Sequence, residues 1–240
     1  MLMMVRCGVA LLGVTPAPDT TLTLQGVVAV GADTPDAAGH AVMVLTEPIL
    51  VGRRQMWILP LGGDATRWRN WDSRYVEARG ELGSQPPDGL RFTPDQIHDV
   101  EPDSGSSGEV VSLSHHSNVR LAVVPHRFTA VPGDSTRGIT PLIYYKITVQ
   151  GQTNLTFEFT NNEFVCVSVR APGEREPGWR NAWLVPQERP PYVIRIGPVF
   201  RVLIPIPAEV VVRPGRYLVQ ATVCGNPDFN VTTTIDVSPT

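Results

Sequence analysis

Phe157-Glu158-Phe159, the run Phe164-Val165-Cys166-Val167-Ser168-Val169-Arg170 and the stretch Pro214-Gly215-Arg216-Tyr217-Leu218-Val219-Gln220-Ala221-Thr222-Val223 decide the fold. Their apolar and polar side chains alternate with the period of two that a half-buried strand requires. Turn formers separate them, and no nearby segment carries a helical period of useful length. Outward from these, Val110-Val111, Val119 to Val124, Leu142 to Val149, Leu155 to Phe159, Tyr192 to Ile196, Val199 to Ile204, Val210 to Val212 and Val231 to Val237 read as further strands. The 23 prolines and 21 glycines are spread along the 240 residues rather than clustered, which suits many short strands joined by turns. The chain is expected to be all-β.

The first third follows its own order. Strands are expected around Leu22 to Val30, Ala41 to Val51, Gln55 to Leu59, Tyr75 to Leu82 and Leu90 to Val100, with a short helix carrying Trp68 and Trp71 before the fourth. With Gly26 and Gly80 placed where bends are needed, this pattern resembles the five-stranded OB barrel. The small polar run Asp103-Ser104-Gly105-Ser106-Ser107-Gly108 is the best linker, having nothing to bury. The expected division is therefore a signal segment over 1–18, an OB-like five-stranded barrel over 19–102, a linker over 103–108 and an immunoglobulin-like β-sandwich over 109–240.

Within the sandwich, Leu155 to Val167, then Trp179 or Trp183, then Pro214-Gly215-Arg216-Tyr217 leading an alternating strand, resembles the BsuPI-type domains. Those are immunoglobulin-like modules named after an intracellular bacterial proteinase inhibitor. The resemblance implies a bacterial source and, as an alternative function, proteinase inhibition through a loop of the sandwich. Between Trp183 and Val210 the chain departs from that pattern with a longer, proline-rich insertion.

The opening Met1 to Val14 has one cation, Arg6, and then an apolar run followed by Thr15-Pro16-Ala17-Pro18, as in a secretory signal. It is too short to span a bilayer as a helix, and no other segment is a candidate span. A secreted or periplasmic location is expected, with an ordinary first strand as the competing reading. Export makes a disulfide between Cys166 and Cys224 available; the alternative is two buried thiols acting as small hydrophobes.

Composition bears on partners. The net charge is −3 and Lys146 is the only lysine. Between Thr20 and Pro102 stand 7 Arg against 11 Asp and Glu, which argues against nucleic acid, where phosphate contacts dominate affinity. His40, His98, His115, His116 and His126 lack ligand spacing, since neighbours on a strand point to opposite faces. Ser112, Ser114, His115, Asp103 and Asp134 are the right types for a hydrolase, yet no Gly-x-Ser-x-Gly elbow occurs, and Cys166 sits inside an apolar strand where a thiol is inert. No catalytic residue, metal or cofactor is expected. The best partner site is Arg67, Trp68, Arg69 and Trp71, because Trp and Arg are the side chains enriched at interface hot spots. A non-catalytic binding or scaffolding role toward a protein or envelope component is the expectation.

Overall fold

The computed structural model describes residues 21–31, 41–51, 54–85, 89–102, 107–112, 116–129, 140–151, 154–187 and 189–239. These residues are all-β apart from one short α-helix and two single 3₁₀ turns. Strands β1 (Thr21–Val30), β2 (Ala41–Val51), β3 (Arg54–Pro60), β4 (Arg74–Gln85) and β5 (Gly89–Asp99) form an antiparallel sheet in the order β3-β2-β1-β4-β5. The sheet curls into a half-barrel. Leu61, just past β3, bridges Phe92 of β5 in parallel, and the Gly62 N–H donates to the Phe92 carbonyl at 2.8 Å. Two glycines permit the close crossings: a Cβ on Gly26 would run into the Val44 carbonyl, and one on Gly80 into the backbone of Thr93 and Pro94.

The inside of the curl holds Leu24, Val28, Met43, Leu45, Leu59, Val76, Ala78, Leu82 and Phe92. Helix α1 (Ala65–Trp68) follows β3, its first turn capped by the Asp64 carboxylate, which accepts from the Thr66 N–H at 2.9 Å. That contact also holds the Asp64 carboxyl below its ordinary pKa.

A second sheet contains β6 (Ser107–Ser112), β7 (Ser117–Val124), β9 (Leu142–Val149) and β14 (Val199–Pro205) in the order β14-β9-β7-β6. The third contains β8 (Arg127–Thr129), β11 (Glu163–Arg170), β12 (Trp179–Leu184), β15 (Gly215–Val223) and β16 (Asn226–Ser238), ordered β12-β11-β15-β16-β8, with β8 parallel to β16. A two-stranded pair, β10 (Leu155–Phe159) and β13 (Tyr192–Ile196), completes the described strands.

The second sheet lies between the other two, and its central strands β7 and β9 bury apolar side chains on both faces. Val119, Leu121, Val123, Ile143, Tyr145 and Ile147 join Phe164, Val165, Val167, Tyr217 and Val219 in one core. The opposite side chains Ala122, Val124, Leu142 and Tyr144 pack on Val27, Ala29, Val42, Val44 and Tyr75 from the outside of the half-barrel. Unbroken apolar runs such as Leu121 to Val124 and Leu142 to Tyr145 are what double coverage demands. Each Val or Leu so buried contributes about 1.5–3 kcal/mol.

Several elements differ from expectation. Ser107 and Gly108, read from composition as the end of a linker, open β6 and pair with Ala122 and Leu121, while 103–106 lie outside the described residues. The signal segment over 1–18 is also outside them. Gly108 is there for space, because a Cβ would meet the Thr232 carbonyl of β16. Val210 to Val212 is no strand: the chain makes a 3₁₀ turn over Ala208–Val210, between Pro207 and Pro214, residues that lack the N–H a ladder needs. Strand β12 was hidden because Arg180-Asn181 breaks its alternation, and β8 because three residues carry no period.

Candidate partner-binding surfaces

The four residues picked out in the first third separate into two roles. Trp68 is 1% exposed, packs inside the half-barrel and donates its indole N–H to the Gly62 carbonyl at 3.0 Å. It therefore presents nothing to a partner. Arg67 lies over the Trp68 ring at 4.9 Å and Arg69 is exposed. Trp71 is half-buried, with Arg74 over its ring at 5.4 Å. Trp68 and Trp71 stand three residues apart on the inward side of the turn, with Trp68 sunk in the core and Trp71 packed only partly against its edge, while Arg67 and Arg69 point away. The surface left for a partner is Arg67, Arg69 and Trp71, joined by Arg74.

Arg74 leads into the seam. It pairs with Asp99 at 2.8 Å, and Asp99 also takes Arg201 at 3.4 Å. Glu101 bridges Arg120 at 2.8 Å and Lys146. Arg120, Lys146 and Arg201 stand directly opposite one another on β7, β9 and β14. Like charges in that register repel, and the two carboxylates offset that repulsion along the row. Burial pushes the nearby Tyr144 hydroxyl up to about 12, with a hydrogen bond from Arg201 opposing the shift. Tyr145, facing the other way, is pushed up by burial as well and donates to the Phe229 carbonyl at 3.0 Å.

Cys166 and Cys224 form a disulfide with Cα atoms 5.1 Å apart. The alternation of β11 explains its place: Val165, Val167 and Val169 face the core, so Cys166 is turned to the outer side of the sheet. Cys224 follows β15 and is held by its N–H bond to the Phe164 carbonyl at 2.8 Å. Glu163 lies within 4.8 Å of both sulfurs, the one group of that composition among the described residues, but sulfurs bonded to each other are not thiolate ligands. Of the residues weighed for catalysis or metal binding, His40, Ser114, His115, Asp103 and Asp134 lie outside the described residues. His98 contacts Glu77 at 3.3 Å with 61% of its side chain exposed, and His116 is exposed at a left-handed turn with φ 47°. The described histidines do not converge.

One surface feature was not singled out from sequence. Tyr217 donates its hydroxyl to the Arg213 carbonyl and accepts from the Arg213 N–H, both at 2.9 Å. This corner, together with the turn at Ala171–Glu174, frames a cleft beside Trp179. Its signal in the sequence was the Pro214-Gly215-Arg216-Tyr217 motif, read as the lead-in to a strand and not as a surface feature. No protein-family model matches the chain, and no curated protein matches it.

Proposed function

We propose that the protein is an exported, non-catalytic binding or scaffolding protein of the bacterial cell envelope, in which an OB-like barrel backs an immunoglobulin-like sandwich. The connections of the first sheet favour the OB-like reading: β1 pairs with both β2 and β4, β3 approaches β5 in parallel, and the helix falls between β3 and β4. The Tyr217 corner favours the immunoglobulin-like one.

The observation that carries the scaffolding role is the seam. OB barrels present ligands to the face of their second and third strands. Here Val42 and Val44 of β2, with Ile58 of β3, pack toward the middle sheet. The barrel's outer apolar face is thus spent on the same chain, leaving the Arg67, Arg69 and Trp71 end and the far surfaces of the sandwich for partners. The Cys166–Cys224 bond supports an oxidising compartment.

Fractionation of a bacterial host expressing the chain from Met1, followed by intact mass under non-reducing conditions, tests the compartment. The expected product lies outside the cytoplasm, is shortened near Ala17, and is lighter than its reduced form by the pair of hydrogens a disulfide removes. A full-length cytoplasmic chain with free thiols overturns the proposal.

A further inference from the structure

The cleft framed by the Tyr217 corner has a volume of about 350 Å³ and lies between the Ala171–Glu174 turn, the start of β12 and the segment from Glu209 to Arg213. Its walls are fixed from within. Gly173 takes φ 78° in the turn, closed by the Glu174 N–H to the Ala171 carbonyl at 3.2 Å. Pro172 sits on Gly215, where a Cβ would come within 2.5 Å of its ring. The opposite wall is a 3₁₀ turn, with the Val210 N–H donating to Pro207 at 2.9 Å, and is tied down by both Tyr217 hydrogen bonds to Arg213. The Pro-Gly-x-Tyr motif therefore builds both sides: glycine admits the proline of one wall, and tyrosine anchors the other.

Trp179 and Val210 are half-buried in the lining, and Val212 is 53% exposed. Two carboxylates flank this apolar surface. The Glu174 Oε2 lies over Gly178, where a Cβ would be 3.2 Å away, and Glu209 comes from the opposite wall. Neither is ion-paired to a described residue, whereas the adjacent Glu176 is taken by Arg180 at 3.8 Å. Arg213 is the one cation in the lining.

We infer that this cleft takes a lysine or arginine side chain of a partner protein. Aliphatic lining suits the stem, an indole favours a cation near its face, and two acidic groups supply the countercharge. The volume is at the lower end for ligand pockets, which fits one long side chain rather than a cofactor. A carboxylate ligand would meet two like charges, and an uncharged apolar one would leave them unanswered. A lysine from a second copy is excluded as occupant, because Lys146, the only one, is held in the seam by Glu101. The inference gives the proposed binding role a partner chemistry and rests on that reading only in taking the partner to be a protein.

The test uses the purified full chain, so its failure is separable from failure of export. The Trp179 indole N–H and Gly178 amide resonances of ¹⁵N-labelled protein are followed during titration with N-acetyl-lysine methylamide, N-acetyl-arginine methylamide, the norleucine analogue as an uncharged stem, and the glutamate analogue. Saturable shifts are expected from the two cations alone. Glu174→Gln and Glu209→Gln should each weaken them roughly two- to fivefold, the range for exposed pairs, while Arg213→Gln tightens them. Both glutamates are exposed, and an otherwise unchanged spectrum shows that the variants fold. Equal response to norleucine, no saturable shift, or indifference to both glutamate substitutions overturns the inference.

Discussion

The half-barrel and the sandwich solve the same problem by different means. The half-barrel folds one sheet over itself and fills the inside with a single large side chain from its helix, Trp68. Its other face is shared with the middle sheet, so it has little apolar surface of its own left to offer. The sandwich faces two sheets across a core rich in aromatics, with Phe164 at 5.1 Å from Phe200 and 5.4 Å from Phe157, and adds a covalent tie on its outer side. It also blunts its strand edges with amides: Asn181 accepts the Ala182 N–H at 2.8 Å, and Gln187 accepts the Val193 N–H at 2.9 Å. One half is closed by packing and support from its neighbour; the other closes itself and keeps clefts at its surface.

That contrast can be broken most forcefully at Trp68. Trp68→Ala should cost about 3–5 kcal/mol in urea denaturation, the range for emptying a core aromatic site, while Trp71→Ala, half-exposed, costs markedly less. Equal losses would mean that the indole at 68 does not fill the half-barrel. The sandwich should respond instead to its disulfide. Replacing Cys166 and Cys224 together by Ser opens a 58-residue connection and should cost about 2–4 kcal/mol. Amide exchange should then rise most in β11 and β15, which flank the bond, and in β1 and β4 only by what the loss of global stability requires.

Because the middle sheet serves both cores, the two halves should unfold together. Val44→Ala thins their contact and should cost about 2 kcal/mol, splitting one calorimetric transition into two. A single sharp transition in that variant would show that the ionic seam of Asp99 and Glu101 suffices to couple them. The smallest effect concerns pH and the sandwich alone. The hydrogen bond from Arg216 to Asp236, 2.7 Å long, holds the Asp236 carboxyl below its ordinary pKa. A depressed carboxylate stabilises the fold above the unfolded value near 3.9, and that stability is lost as pH falls through the folded value. Asp236→Asn should remove that small contribution at neutral pH and flatten the acid limb of a stability profile below about pH 5, the two proteins converging at the acid end; an unchanged limb would remove Asp236 from the account.

Much of this architecture was readable because local chemistry dictates it. Tyr192–Ile196 and Leu142–Val149 were delimited by their runs of β-branched and aromatic residues and by the turn residues around them, and Gly26 and Gly80 marked the crossings of the half-barrel. The limits were equally physical. Ser107-Gly108 carries no apolar signal, so its place in a sheet depends on a partner strand far along the chain. Strand β12 is polar at its centre because it is an edge. Of the four partner residues, sequence supplied types but could not say how deep each indole sits; packing decides that, and Trp68 went to the core with Trp71 half-buried at its edge. The cleft beside Trp179 was out of reach, since Glu174, Trp179 and Glu209 meet only when three turns pack together.

By itself the sequence determined an all-β chain, the positions of most strands, the scarcity of helix and a net charge of −3, because period, turn chemistry and charge are local or additive properties. The tertiary structure alone decided that the middle sheet is shared by two cores, that Cys166 and Cys224 come within bonding distance, that Trp68 is structural, and that two carboxylates flank an indole. Each of these depends on which strands pair and which faces meet, and the free energy of those choices is distributed over residues far apart in the chain.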